Sequence, residues 1–363
     1  MAPSTTLWAL PPQTVGKHLV LRSYLGAWLG ILGPSVPKLV LIDGYAGPGE
    51  YKGHEWGSPL IALNVFESHS ARDRIVATPM FLFLEENPKR YAHLKSLVAP
   101  IALRLGRRAR VDVETGRFDA SMSDLLDAIE ADGFQLAPTF VMVDPFGVSH
   151  LPMALMGRIL KNPKAEVFIS FMFESIKRHR GTPEFEPHLD ELFGCRNWRD
   201  MDRVAGVETR KKFVLDLYET QLRAVGAKYV TRFELWDGGR FIYAIYFATS
   251  NALGCDRMKQ AIWSADPSGS YQFRGGRESQ ILLFGPDFQI LEQELRDAFG
   301  GEEVGVDELD SWVRTDKTQF HSGHLRKALK SMEIDGSLSV RAGTRTRKKT
   351  FPNGTRLTIA PVK

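Results

Sequence analysis

Two carboxylates, each closing a short apolar run, are the residues of this chain best placed to do chemistry. The first is Asp43. Leu39, Val40, Leu41 and Ile42 read as a strand buried on both faces, and Asp43 ends it just before Gly44, Gly47 and Gly49. Glycine lets the backbone turn sharply and approach a ligand with no Cβ in the way. A strand running into such a turn is how doubly wound α/β proteins build a nucleotide site at the carboxyl ends of their strands. Gly44, Tyr45, Ala46, Gly47 and Gly49 are therefore the expected cradle. Asp43, a charge facing that cradle, suits a ligand with ammonium or hydroxyl donors and suits a pyrophosphate poorly. That favours S-adenosylmethionine (SAM) over NAD, and the third glycine of a dinucleotide G-x-G-x-x-G is missing at its usual spacing.

The second carboxylate is Asp144, which follows Thr139–Val143 and opens Asp144-Pro145-Phe146-Gly147. Amino-directed nucleic-acid methyltransferases carry an Asp-Pro-Pro-aromatic or related tetrad at this place. An exocyclic amine is a weak nucleophile because its lone pair is delocalised into the ring. Accepting its protons on the Asp144 carboxylate and on a carbonyl held by Pro145 localises that pair for attack on a sulfonium methyl. Phe146 would stack on an extruded base, a contact of about 1–3 kcal/mol in single-strand binders. The alternative is a strand-end turn with a buried Phe.

These residues need elements to hold them. Residues 1–15, with Pro3, Pro11 and Pro12, read as an extended arm. Leu21, Tyr24, Leu25, Trp28, Leu29 and Leu32 recur at helical spacing from Gly16 to Leu32, with Lys17 and His18 in the first turn, where such a pair can line the site. A helix from Pro59 to Ser68 follows, with Ser58 as its N-cap or as a ligand group at the helix start. Met80–Leu84 is the second strand. Glu85 or Glu86 after it is the ribose ligand, Glu85 being preferred as the residue directly after the strand. It lies roughly forty residues past Asp43, where a dinucleotide fingerprint expects ~20. Val111–Val113 is the third strand. Phe118 after it is placed to lie on an adenine, with Asp119 accepting from the adenine amino group or capping the helix Ser121–Glu130. Glu166–Phe171 is the fifth strand. Helices fill 172–235, including Arg210–Arg223. The charged loop Lys177, Arg178, His179, Arg180 emerges at the same sheet edge as a candidate phosphate contact. Phe241–Thr249 and Gln280–Phe284 are read as further strands, with a helix from Asp256 to Trp263 between them.

Past Pro286 the pattern changes to three helical stretches (Phe288–Phe299, Val306–Val313, Gln319–Met332) and an alternating pair, Ser337–Arg341 and Thr355–Ile359. The loop joining that pair holds Arg345, Arg347, Lys348 and Lys349, and the third helix holds Arg326, Lys327 and Lys330. Three helices and a hairpin with a charged tip describe a winged helix, in which helix and wing engage nucleic acid together. His321 and His324 lack a third metal ligand in the sequence. The expected architecture is thus an α/β, Rossmann-like doubly wound domain over 1–285 and a basic winged-helix-like domain over 286–363.

Composition agrees with that division. The chain has 363 residues, 43% hydrophobic and 25% charged, ordinary for a globular protein of two domains. No run approaches the ~18 apolar residues of a membrane span. Cys195 and Cys255 are distant, and no secretory leader precedes Trp8, so a reducing, cytoplasmic setting is expected. Neither cysteine sits where carbon-5 methylation of a pyrimidine would need its nucleophile. Residues 311–363 hold twelve Lys/Arg against three Asp/Glu, while the rest holds 35 against 40, so the positive charge is concentrated in the tail.

Together the segments resemble the three-Cys-motif partner proteins (TcmP), a family of SAM-dependent methyltransferases. The resemblance rests on Lys17-His18, Ile42-Asp43-Gly44-Tyr45-Ala46-Gly47-Pro48-Gly49, Gly57-Ser58-Pro59-Leu60, Val143-Asp144-Pro145-Phe146-Gly147 and Phe247-Ala248-Thr249. The glycine string is also similar to the cofactor turn of bacterial ribosomal-RNA adenine N6-methyltransferases. The resemblance implies SAM at the glycine turn and a neighbouring three-cysteine, radical-SAM-like protein as partner. It leaves open DNA or RNA, and also an accessory role in which the fold is kept without turnover. The second Pro of the amino-methyltransferase tetrad is absent, and Phe146 would take the aromatic's place.

Overall fold

A computed structural model describes residues 5–147, 150–179, 181–274 and 287–361. Helix α1 (Pro12–Leu32) leads into strand β1 (Lys38–Asp43), and α2 (Ser58–Glu67), β2 (Thr78–Leu84), α3 (Pro88–Leu105), β3 (Arg110–Glu114), α4 (Phe118–Ala131) and β4 (Thr139–Val143) follow. Next come α5 (Met153–Leu160), β5 (Ala165–Phe171), α6 (Phe173–His179), α7 (Glu186–Phe193), α8 (Val207–Ala224), β6 (Tyr229–Asp237), β7 (Arg240–Thr249), α9 (Ala252–Ala265) and the two-residue β8 (Gln272–Phe273). These strands form one sheet in the order β3-β2-β1-β4-β5-β7-β6-β8. The first five are mutually parallel, and β7 runs antiparallel between β5 and β6. Every residue of β4 and β5 is buried, which is why both read as continuous apolar runs.

Helices cover both faces. Tyr24, Trp28, Leu63, Leu94 and Ile262, from α1, α2, α3 and α9, pack against one face. Met122, Met156, Leu189 and Tyr218, from α4, α5, α7 and α8, pack against the other. The strand order changes direction between β1 and β4, so their carboxyl ends diverge there and leave a crevice.

The C-terminal segment folds as α10 (Gln289–Phe299), β9 (Glu303–Gly305), α11 (Val306–Val313), α12 (Ser322–Ile334), β10 (Leu338–Val340) and β11 (Arg356–Ile359), with an antiparallel sheet in the order β10-β11-β9. Its apolar core, with Leu291, Leu309 and Leu329, is continuous with that of the α1 face. The junction is polar and specific. Lys259 on α9 is fully buried and donates to the backbone carbonyls of Val313, Thr315, Thr318 and Phe320, while Asp256 accepts from Ser322 N at 2.7 Å and from Ser322 Oγ at 2.8 Å. Among the described residues no helix is long and apolar enough to cross a membrane.

Several expectations need correction. The arm ends earlier than residue 15, because α1 starts at Pro12; proline is well tolerated in a first helical turn, where its missing N–H has no partner to lose. β6 lies inside the stretch read as helical. Lys177 and Arg178 are on α6 and not on a loop, with Lys177 3.9 Å from Glu174. Arg180, the stretch Gln280–Phe284 and the boundary at 285/286 lie outside the described residues.

Candidate functional site

The glycine turn is fixed by the strands on either side of β1. Gly44 N donates to Met142 O at 2.9 Å and Ala46 N donates to Leu84 O at 2.9 Å, so the turn spans the ends of β4 and β2. Gly47 and Gly49 take φ of 64° and 88°, a left-handed conformation that favours glycine. A Cβ on Gly44 would stand 2.2 Å from Phe118 Cδ2, so only glycine lets that ring close beneath the turn.

Asp43 does not face outward as expected. It is 1% exposed; its carboxylate accepts Tyr45 N at 3.1 Å and Ser58 Oγ at 2.6 Å. Burial pushes its pKa up to about 6, with Asp144 adding to the rise, against the pull of those two bonds and of Lys17. Asp43 thus braces the turn against the start of α2. For the same reason Ser58 is not an N-cap: Gly57 holds that position, and the Ser58 hydroxyl is spent on Asp43.

Two clefts open beside this turn, with Tyr45, Pro145 and Phe146 in the wall of each. The first is lined by Ala46, Gly47, Ser58 and Asp144, with Trp8, Lys17 and Tyr243 opposite. The second is lined by Gly44, Glu85, Glu86, Arg117, Phe118 and His150. Gly49 and Asp119 line neither cleft, although Asp119 Oδ2 is 3.5 Å from His150 Nδ1.

In the second cleft the predicted residues are present but partly committed. Glu85 is 5% exposed, and its Oε1 accepts Asn87 N at 2.7 Å and Arg90 Nε at 3.0 Å. Glu86 beside it is exposed. Phe118 is 1% exposed, a buried floor rather than an open platform, with its ring 5.8 Å from that of Tyr45. Asp119 neither caps α4 nor faces the cleft. It takes a two-pronged contact from Arg117 (3.1 and 2.6 Å), which with its other neighbours outweighs burial and holds its carboxyl below the usual range.

In the first cleft Asp144 is joined by a residue whose role the sequence left open. Lys17 Nζ donates to Asp144 Oδ2, and the two side chains are 6% and 29% exposed. Burial disfavours each charge alone, yet their attraction prevails: the ammonium lies above the ordinary lysine value and the carboxylate below its own. His18 next door is pushed down to about 3, by burial first and then by Lys17, so its imidazole is neutral. Phe146 is 41% exposed, with the Trp8 ring 5.8 Å away edge-on and the Arg90 guanidinium 5.7 Å over it.

Sequence reasoning missed Trp8, Gln13, Thr14, Glu50, His150 and Tyr243. Gln13, Thr14 and Lys17 sit at i, i+1 and i+4 on α1, a signal readable only once the helix is started at Pro12. Glu50 bridges His54 Nδ1 at 3.1 Å and His93 Nε2 at 3.0 Å. Nothing local in Phe241–Thr249 marks Tyr243, which arrives through the pairing of β7 with β5.

The expected phosphate contacts of the C-terminal segment divide in two. Arg345 is not available, because Glu333 on α12 takes both its prongs, Nη1 at 2.8 Å. Arg326 reaches Asp310 at 3.4 Å and Asn353 at 3.2 Å. Lys327, Lys330, Arg347, Lys348 and Lys349 are exposed. His321 is the N-cap of α12 and accepts Gly323 N at 3.1 Å, and among the described residues no group of three side chains could hold a metal.

No protein family and no curated protein matches the sequence. Among solved structures, the chain is similar to the O-methyltransferase from Bacillus cereus in complex with SAH, at 15% identity and a TM-score of 0.35, covering 68% of this chain and 84% of that one. It is similar to the O-methyltransferase TomG from Streptomyces achromogenes in complex with SAM, at 14% identity and a TM-score of 0.36, covering 66% and 80%. The methyltransferase domain of bacterial CtHen1-C is likewise similar, at 10% identity and a TM-score of 0.32, covering 64% and 100%.

Proposed function

We propose that this protein is a SAM-dependent methyltransferase acting on the exocyclic amino group of a base in DNA or RNA. One observation carries the reading: the glycine turn after β1 and Asp144-Pro145-Phe146 after β4 share one crevice at the point where the strand order reverses. The order 3-2-1-4-5-7-6, with strand 7 antiparallel, is the sheet of class I methyltransferases. The residues present fit the cofactor. Gly47 leaves the backbone open to close approach, Glu86 and Glu85 offer carboxylate oxygens for ribose hydroxyls, and Phe118 and Tyr45 floor the second cleft. When bound, SAM supplies an electrophilic methyl on a sulfonium.

The chain's own residues then do the rest. Phe146, half exposed and backed edge-on by Trp8, offers its ring to an aromatic acceptor. With Oδ2 engaged by Lys17, Asp144 uses Oδ1 to accept an amine hydrogen, which localises the nitrogen lone pair. Asp144 would also take the proton that the amine releases once it is methylated. In the same reading residues 287–361 are a winged helix whose exposed lysines and Arg347 meet phosphates, and the resemblance to TcmP proteins adds a three-cysteine protein as partner.

The Lys17–Asp144 pair also favours a second reading, an accessory protein that keeps the fold without turnover, since a carboxylate already neutralised is a weaker proton acceptor. Methyl transfer from labelled SAM to mixed DNA and RNA, with Asp144→Ala alongside, separates the two. Incorporation that falls at least ~100-fold in the variant supports catalysis, in line with loss of one transition-state contact. Absence of incorporation by either protein, with SAM binding retained in calorimetry, would favour the accessory.

A further inference from the structure

The first cleft contains a polar group that the fold itself leaves unsatisfied. Gln13 Oε1 is buried without a hydrogen-bond partner. A buried acceptor left unpaired costs about 1–3 kcal/mol, so such an atom in a cleft wall points to a donor on whatever fills the cleft. Lys17 has three N–H donors, and Asp144 takes one. Gln13 lies one helical turn before Lys17 on the same face of α1, so Gln13, Lys17 and the Asp144 that Lys17 contacts line one cleft. Proline and aromatic rings, Pro48, Pro145, Phe146 and Trp8, form flat walls around them.

Two acceptors beside one charged donor form a pattern with a definite complement. We infer that Gln13, Lys17 and Asp144 read the acceptor, and that the acceptor is a heterocycle whose amino group lies next to an unprotonated ring nitrogen. Adenine and cytosine both present that edge on their Watson–Crick side. The two amine hydrogens go to Asp144 and Gln13, and Lys17 donates to the ring nitrogen. Uracil and thymine have no amino group, and on its Watson–Crick side guanine places a ring N–H where Lys17 needs an acceptor. Donation by Lys17 into the ring also acidifies the amine, easing proton loss to Asp144. Lys17 and Gln13 are thus specificity-determining residues for the reaction proposed above, and the inference rests on that reading.

The test compares single-stranded ribo- and deoxyribo-oligonucleotides carrying one adenine or cytosine with the same strands carrying 1-deazaadenine or 3-deazacytosine. These keep the amine and replace the ring nitrogen by C–H. Because the deaza rings also differ in intrinsic reactivity, the deciding quantity is the change in preference from one enzyme variant to another. In kcat/KM the wild type is expected to prefer the parent base roughly tenfold to hundredfold, the worth of a hydrogen bond to a charged group, and Lys17→Met to lose most of that preference. Gln13→Leu is expected to raise KM and keep it. Lys17→Arg retains a charged donor opposite Asp144 and is expected to keep the preference, whereas Lys17→Ala, which also removes the donor, serves if the Met variant does not fold. A Lys17→Met or Lys17→Ala variant that folds and keeps the full preference overturns the inference while leaving methyl transfer intact. A wild type that transfers to no base in any strand overturns the methyltransferase reading itself, and this inference with it.

Discussion

Asp43 and Asp144 close strands that lie side by side, yet their surroundings push them in opposite directions. Asp43 is buried with neutral donors and rises to about 6, while Asp144 is held down because Lys17 offsets its burial. A third carboxyl, Glu166 at the start of β5, is pushed by burial up to about 7 against the bonds it accepts from Tyr24 Oη (2.6 Å) and Thr249 Oγ1 (3.1 Å). The folded protein keeps that proton at pH values where the unfolded chain has already lost it. Its contribution to stability is therefore complete below 4.5 and disappears as pH rises through about 7. The difference amounts to about 3 kcal/mol at 1.36 kcal/mol per pKa unit. Glu166→Gln keeps an acceptor for Tyr24 and should flatten this slope, which denaturant melts across the range would show; an unchanged slope would mean that Glu166 is ionised when folded.

Elements place these residues through a few close contacts. Gly44 and Phe118 are the clearest pair, because any side chain on Gly44 collides with the ring that floors the second cleft. Gly44→Ala should cost about 1–3 kcal/mol by overpacking and weaken SAM binding, read by thermal melts and calorimetry; full SAM affinity would remove Phe118 from the cofactor's floor. At the other junction, Lys259 ties α9 to the last carbonyl of α11 and to three carbonyls of the segment between α11 and α12. Lys259→Met leaves those carbonyls buried without a donor. About 3 kcal/mol of stability should be lost in urea titrations, since each orphaned acceptor costs ~1–3 kcal/mol. A loss below 1 kcal/mol would mean that water replaces the ammonium there.

For the whole molecule, charge reads differently once the chain is folded. The tail over 311–363 is strongly basic by itself. The whole stretch 287–363 that contains it carries thirteen Lys/Arg against twelve Asp/Glu. Glu303 and Glu308 pair with Arg341 and Arg356, and Asp310 pairs with Arg314 and Arg326. What stays open is a ridge. Lys327 and Lys330 are one turn apart on α12, and Arg345 and Lys349 N both reach Glu333 on the next turn, which brings Arg347, Lys348 and Lys349 beside them. Replacing Lys330, Arg347, Lys348 and Lys349 by Ala should therefore weaken nucleic-acid binding and reduce the slope of log K on log salt by about 0.9 per lost phosphate contact. An unchanged slope would assign the ridge to some other partner.

The sequence alone determined the parallel half of the sheet, the glycine turn and the two strand-end carboxylates, because those depend on runs of buried apolar residues and on local backbone freedom. It located β1, β4 and β5 from unbroken hydrophobic stretches, and it found three C-terminal helices from their spacing. The tertiary structure decided which way the side chains are spent. Asp43 turned inward to Ser58 and Tyr45, Glu85 took Arg90, Asp119 took Arg117, and Lys17 crossed the crevice to Asp144. Each of the first three is a short-range choice between water and a neighbour that many conformations could offer, whereas the pair of Lys17 and Asp144, 127 positions apart, exists only once the sheet has assembled.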